Sequence, residues 1–178
     1  MSDLSLHIRP EAESDSATIE KLHERAFGPG RFARTAYRLR EGVPHEASLS
    51  FTALVGTLIV GSIRLTRIVA GGVPALLLGP VTVEPAFMNR GIGMALVRRS
   101  LAAAASEGHR LVLLVGDEPF YKRAGFRKIP RGQLDMPGPV DPDRLLALEL
   151  EPGVLAEAKG AIRPDLAGAL AARAETAA

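Results

Sequence analysis

Residues 81–96, Val-Thr-Val-Glu-Pro-Ala-Phe-Met-Asn-Arg-Gly-Ile-Gly-Met-Ala-Leu, read as a β-branched strand, a turn marked by Pro85, and a Gly-spaced loop that opens directly into a helix. The first N–H groups of such a helix have no intrahelical partner and stand at the positive end of its macrodipole, which makes the turn a ready cradle for a diphosphate. Gly91 and Gly93 let a ligand approach bare backbone. A Walker loop would close on Gly-Lys-Ser or Gly-Lys-Thr, and this one runs Gly-Ile-Gly-Met-Ala. A dinucleotide turn requires Gly-x-Gly-x-x-Gly after the first strand of a βαβ unit, whereas Leu96 holds the sixth position and several strand candidates come earlier. The bland alternative is a helix start whose glycines serve turn geometry alone.

A second segment decides between them. Leu111-Val112-Leu113-Leu114-Val115 is a buried-type strand, followed by a turn, a short helix begun by Pro119 and stopped by Gly125, and a further strand. Here the chain resembles the GNAT N-acetyltransferase superfamily, whose acetyl-CoA loop reads Gln/Arg-x-x-Gly-x-Gly/Ala and whose later Phe-Tyr-x-x-x-Gly-Phe segment carries the catalytic tyrosine. Phe120, Tyr121, Gly125 and Phe126 match the second pattern, and Gly91 and Gly93 match the first. Met88 stands where Gln or Arg is usual, and Asn89 where Gly often follows. The resemblance covers roughly residues 4–150, with its sharp motifs within 76–128. Residues 78–83 and 148–153 look like a broad bacterial subgroup of predicted acetyltransferases.

The resemblance implies an α+β fold: a central mixed, mostly antiparallel sheet with splayed middle strands and helices on both faces. It also implies acetyl-CoA as cosubstrate, held by Val81, Thr82, Val83, Met88, Asn89, Arg90, Gly91, Ile92, Gly93, Met94 and Phe120. The activity implied is transfer of an acetyl group to a primary amine, of a small molecule or a peptide, by direct attack. Two readings from other classes stand beside it, a noncatalytic acyl-CoA sensor on the same fold and a nucleotide-cofactor oxidoreductase.

Composition narrows the setting. The 178 residues fit one domain, expected over residues 1–153 with an Ala-rich tail over 154–178. With no cysteine there is no disulfide, thiolate metal site or cysteine nucleophile, and the chain suits a reducing compartment. The start, Met1 to Ser5, lacks a basic n-region and apolar core, and no run approaches the roughly 18 apolar residues of a membrane span, so a cytoplasmic protein is expected. The balance of 22 basic and 20 acidic side chains is too even to call for nucleic acid, and 4% aromatics leave little for base stacking. His7, His23, His45 and His109 have no ligand spacing, so no metal is expected. Homodimerisation is common among look-alike proteins and is an open expectation here.

Along the chain, the strand Leu6 to Arg9 precedes a helix from Ala17 that ends at Gly28-Pro29-Gly30. Phe32, Ala36 and Leu39 suggest a second helix, ringed by Arg31, Arg34, Arg38 and Arg40, which read as a solvated face more readily than as an anion site. A hairpin over 50–69 and a strand over 75–83 follow. Gly79-Pro80 interrupts that strand and marks a bulge or a parting of neighbours. The helix from Gly91 to about Glu107 precedes the second motif, a last strand covers Leu145 to Leu150, and the tail reads as weak helix or frayed coil.

Amine acetylation requires a neutral nucleophile, donors for the carbonyl oxygen, and a proton for the departing thiolate. Tyr121, with a reference pKa near 10 against roughly 8.5 for a thiol, is the candidate acid. A free backbone N–H within Val81 to Val83 is the candidate donor. Glu84, at the strand end, is the candidate base, with Glu41, Glu46, Glu118 and His45 as competitors. The acceptor pocket is expected from residues 27–47, the hairpin and the final strand.

Overall fold

The computed structural model describes residues 5–178, so Met1 to Leu4, which carry most of the expected leaderless start, lie outside the described residues. Two positive-φ glycines set the main hairpin. Gly71 (φ 52°) and Gly72 (φ 85°) form the two-residue turn that joins β3 (Leu58–Ala70) to β4 (Val73–Val83), with Ala70 paired to Val73. Before them, β1 (Leu6–Pro10) pairs antiparallel with β2 (Phe51–Val55), and β2 with the first half of β3. After β4 come α3 (Ile92–Ser106) and β5 (Leu111–Val115), numbered after α1 (Ser16–Phe27) and the single turn α2 (Thr35–Arg38). The chain continues through α4 (Glu118–Tyr121), β6 (Arg127–Lys128), β7 (Leu134–Asp135), β8 (Leu145–Glu149), β9 (Gly160–Pro164) and α5 (Leu166–Ala177).

The sheet runs β1-β2-β3-β4-β5-β8-β6, with β9 paired to β3 and β7. This is the expected α+β class: every pairing is antiparallel except β4 with β5 and β7 with β9. The order also lacks the run of parallel strands that a dinucleotide-binding fold requires. Alternation along β5 sends Val112 and Leu114 into one core with Leu96, Val97 and Leu101 of α3, and Leu111 and Leu113 into a second core with Leu39, Val154 and Ile162. A strand buried on both faces needs an unbroken apolar run, and Leu-Val-Leu-Leu-Val is one.

The parallel pair at the centre is short. Leu76 pairs with Val112 and Leu77 with Leu113; then β4 continues against β3 alone to Val83 while β5 continues against β8. From Leu78 onward the two strands diverge, at the position marked by Gly79-Pro80 in the sequence. The register of β4 on β3 shifts over the same stretch.

Two segments differ from expectation. The second helix is broken into a 3-10 turn over Pro29–Ala33 and the four-residue α2, because Arg34 is extended (φ −69°, ψ 139°) and Leu39 alone of the apolar residues there is fully enclosed. A helix needs an apolar face against the core to persist, and this segment has almost none. In the tail, the helical alternative holds for α5, while the strand β9 ahead of it was not expected. The 13-residue β3 runs past the end of β2, leaving Ile68 to Ala70 without a partner on that side, and β9 fills the place. Val154, Ala158, Ile162 and Ala169 are buried there, and Gly71 N–H donates to the Ala161 carbonyl at 2.9 Å.

Ending the chain at Gly153 removes these residues and bares the edge of β3. Burial of Val154 and Ile162 alone is worth about 3–6 kcal/mol. The truncated protein is expected to melt at least ~6 °C lower by circular dichroism; an unchanged melting curve would reduce the tail to an appendage.

Candidate active site

The divergence of β4 and β5 opens a cleft of about 780 Å³. One bank is β4 at Leu78 to Val81, the other is the end of β5 at Val115, Gly116 and Asp117, and Tyr121 projects between them. The walls come from α1, the 31–45 segment, Arg64 and Thr66 of β3, and the loop 139–144. The acceptor side was expected from residues 27–47, the hairpin and the final strand. The first two contribute, and the third place is taken by the loop ahead of β8.

Tyr121 is fixed by aromatic neighbours. Phe120 meets it edge-on with centroids 4.9 Å apart, and Phe126 lies at 5.9 Å. The ring lies against Gly116, where a Cβ would fall 3.0 Å from Tyr121 Cδ2 and closer still to Cε2. Burial is the main cause that raises the phenol pKa, aided by Asp117 and opposed by Arg40 and Arg144. The hydroxyl therefore stays protonated at neutral pH and can donate.

Past the end of β4 lies the helix start that the sequence marks as a candidate cradle. Gly91 caps α3 in the left-handed region (φ 79°) with no side-chain cap, and the first intrahelical bond in its turn is Ala95 N–H to Gly91 C=O at 3.0 Å. The N–H groups of Ile92, Gly93 and Met94 precede it, so they are free for an anion. Asn89 is also left-handed (φ 59°), Met88 is exposed, and the Arg90 guanidinium lies 5.4 Å from the Phe87 ring. A Cβ at Gly93 would be 3.5 Å from Phe120 and 3.7 Å from Val83, which brings strand, helix start and aromatic pair together. The side chains of Ile92 and Met94 turn into the core, as does that of Thr82 into a buried site, so these residues can offer a ligand only backbone.

Glu84 is placed elsewhere. Its N–H donates to the Val60 carbonyl at 2.8 Å, its carboxylate pairs with Arg25 of α1, and it is not among the residues lining the cleft. Of its competitors, Glu41 is exposed, Glu46 pairs with Arg67, and Glu118 with Lys128 at 3.4 Å. His45 does line the cleft: it bridges to Thr66 of β3, and its Nε2 is 3.3 Å from Glu11 Oε1. Burial would raise the Glu11 pKa, but hydrogen bonds from His45 and Arg64 outweigh it and hold the carboxyl at about 2. The Glu11–His45–Arg64 cluster was invisible in the sequence because its members come from two loops and a strand with no characteristic spacing. Among the described residues, no group of three or more His, Asp or Glu is placed to hold a metal, and no helix is long and apolar enough to cross a membrane.

A sheet parted at its centre, with an uncapped helix start at one end of the gap and a tyrosine within it, defines an acyl-CoA-dependent transferase fold. The chain belongs to the GNAT acetyltransferase family. The family model described as an acetyltransferase (GNAT) domain matches residues 46–128. A GNAT family acetyltransferase from Brucella melitensis, solved with acetyl-CoA, is 30% identical, with 82% of this chain and 96% of that one covered and a TM-score of 0.59. The GNAT family N-acetyltransferase YhbS from Escherichia coli, solved with CoA, has a TM-score of 0.78 at 21% identity, covering 93% of this chain and 92% of that one. YjhQ of Escherichia coli K12, an uncharacterized N-acetyltransferase, is 30% identical over 118 residues, and the match covers 64% of this chain and 65% of that protein, just under two thirds of its length.

His23, in the cleft wall, gives the fold an acid limit. It is 4% exposed, its Nε2 has no partner, and burial pushes its pKa down to about 4. The unfolded chain takes this proton from about pH 6.5, while the folded protein resists it. Stability is therefore full above pH 6.5 and falls by about 1.4 kcal/mol per unit as pH drops toward 4. Glu11 adds its own stabilisation, full above pH 4.5 and lost as pH falls toward 2. His23→Leu is expected to flatten most of the slope between pH 6.5 and 4 in urea titrations, with His109, shifted the same way by burial, supplying the remainder.

Proposed function

We propose that this protein acetylates an amine by direct attack on acetyl-CoA, with the cosubstrate on β4 and the start of α3 and the acceptor in the cleft. The observation that carries the reading is the placing of Tyr121 in the cleft between the parted strands, with its neighbour Phe120 packed against Gly93 at the uncapped start of α3. The free N–H groups of Ile92, Gly93 and Met94 hold the diphosphate, and Gly91 and Gly93 give it access. When bound, acetyl-CoA supplies the acetyl group as a thioester. Backbone N–H groups on the β4 edge that faces away from β3, within Val81 to Val83, take the carbonyl oxygen as charge grows on it. The amine nitrogen forms the new bond to the carbonyl carbon, the carbon–sulfur bond breaks, and Tyr121 gives its hydroxyl proton to the departing thiolate. The ammonium proton goes to His45, whose Nε2–H donates to Glu11 and leaves Nδ1 to accept; Glu84, engaged by Arg25, is not needed. The size of the cleft suits a small molecule or the end of a peptide.

Acetyl-CoA at 100 times its dissociation constant is expected to stabilise the fold by about 2.7 kcal/mol, visible as a thermal shift. Gly91→Asp sets a carboxylate against the diphosphate and should erase that shift. No shift for the unaltered protein at millimolar acetyl-CoA would overturn the reading, and a shift without transfer to any amine would leave a sensor.

The proton routes separate in a variant series. Tyr121→Phe is expected to lower kcat by about 10²- to 10⁴-fold with acetyl-CoA affinity retained. Gly116→Ala should do the same by displacing the ring. His45→Gln should cut the rate at neutral pH, with the loss shrinking as pH approaches the acceptor's own pKa, while Glu84→Gln keeps the parent profile. If the pH-dependent loss follows Glu84 instead, the base is Glu84.

A further inference from the structure

The cations around the cleft fall into two groups. Arg64 is matched by Glu11 at 2.7 Å and Glu20 at 2.9 Å, and Arg144 by Asp117 at 3.4 Å. Arg31, Arg34, Arg38 and Arg40 have no carboxylate within ion-pair distance among the described residues. Three of these four have other occupations at the rim: Arg31 donates to the Gly28 carbonyl at 3.1 Å, Arg34 lies over the Phe27 ring, and Arg38 donates to the Pro137 carbonyl at 2.9 Å.

Arg40 has none. Its Nε is fully enclosed without an acceptor, and its Nη2 lies so close to the backbone at Gly79 that a Cβ there would be 2.7 Å away. It therefore reaches the bank of β4 where the strands part, facing Tyr121. Burial pushes its pKa down to about 10, still far above neutrality, so it remains a cation with its donors unspent. A half-buried guanidinium whose Nε is enclosed without a partner is costly unless an anion completes it. The diphosphate of a cosubstrate is not that anion, since the cradle at residues 91–94 lies beyond Val83 and outside the cleft lining.

We propose that Arg40 receives an oxyanion carried by the acceptor, so that the substrate is an amine that also bears a carboxylate or phosphate group. The proposal rests on the acetyl-transfer reading and names the substrate class for that site. Guanidinium donors match either oxyanion, and the nearby positive charge also lowers the pKa of an incoming ammonium, which helps it arrive neutral. Polyamines, with further positive charge, meet repulsion in the same cleft.

Matched pairs test this with the purified protein: phenylalanine against phenethylamine for carboxylate, and phosphoethanolamine against ethanolamine for phosphate. With acetyl-CoA and thiol-release detection, one anionic member is expected to exceed its neutral partner at least ~10-fold in kcat/KM, and which pair responds identifies the oxyanion. Arg40→Gln should collapse that preference toward unity through KM, and Arg40→Lys should restore part of it. A binding arm is independent of turnover. N-acetylphenylalanine and N-acetylphosphoethanolamine are titrated against their neutral counterparts, N-acetylphenethylamine and N-acetylethanolamine, on the CoA-saturated protein by calorimetry. One anionic product should bind at least ~10-fold more tightly, and Arg40→Gln should erase the difference. Because an uncompensated buried charge is removed, Arg40→Gln is expected to melt no lower than the parent without ligand. Neutral amines and products that do as well as anionic ones, or a variant that merely unfolds while the lysine variant shows no anion preference, overturn the proposal. Failure of every amine to be acetylated, with the anionic product still preferred in calorimetry, strikes at the acetyl-transfer reading and leaves the anion site standing.

Discussion

The cleft of this molecule depends on a hydrogen-bond ladder that stops early. Leu76 and Leu77 of β4 meet Val112 and Leu113 of β5, and beyond them each strand keeps only its outer neighbour. Backbone donors and acceptors on the inner edges are thereby left for a ligand, where a continuous sheet would have consumed them. The strands can afford to part because each is held elsewhere, β4 by the long β3 and β5 by β8, with apolar cores sealed on both faces. The gap is an opening in the hydrogen bonding and not in the hydrophobic core.

The charges around that opening are sorted by partner. Carboxylates of Glu11, Glu20 and Asp117 neutralise two arginines of the wall, and the same Glu11 orients His45. Glu84 is committed to Arg25, a contact that ties the end of β4 to α1. What remains in the interior is one guanidinium beside Gly79, so the cleft carries a positive bias that the near-neutral composition of the whole chain conceals.

The fold was legible because its strands announce themselves. Leu111 to Val115 is apolar throughout since both faces are buried, and Gly71-Gly72 and Gly79-Pro80 mark the hairpin and the parting by the backbone conformations they permit. The uncapped helix start proposed to hold the cofactor was equally legible, because free backbone N–H groups at Gly91 to Met94 require only contiguous sequence. The acceptor side was not. His45, Glu11 and Arg64 come from two loops and a strand with no fixed spacing, and Arg40 looked like one more solvated arginine until Gly79 was seen against it. The strand in the Ala-rich end was missed for a related reason: small side chains such as Ala158 and Ala169 look indifferent in sequence, yet both are buried where β9 fills the vacant edge of β3.

His45 is carried by the β3 side of the divide, through its bridge to Thr66, and Tyr121 by the β5 side, against Gly116. The proposed proton donor and the proposed proton acceptor thus belong to different halves of the sheet, joined at the centre by a seam two residues long. Their separation is a property of the angle at which the halves meet. Under the proposed chemistry the packing of Leu76, Leu77, Val112 and Leu113 acts as a gauge: side-chain volume at the seam, outside the cleft lining, sets the span between the two groups.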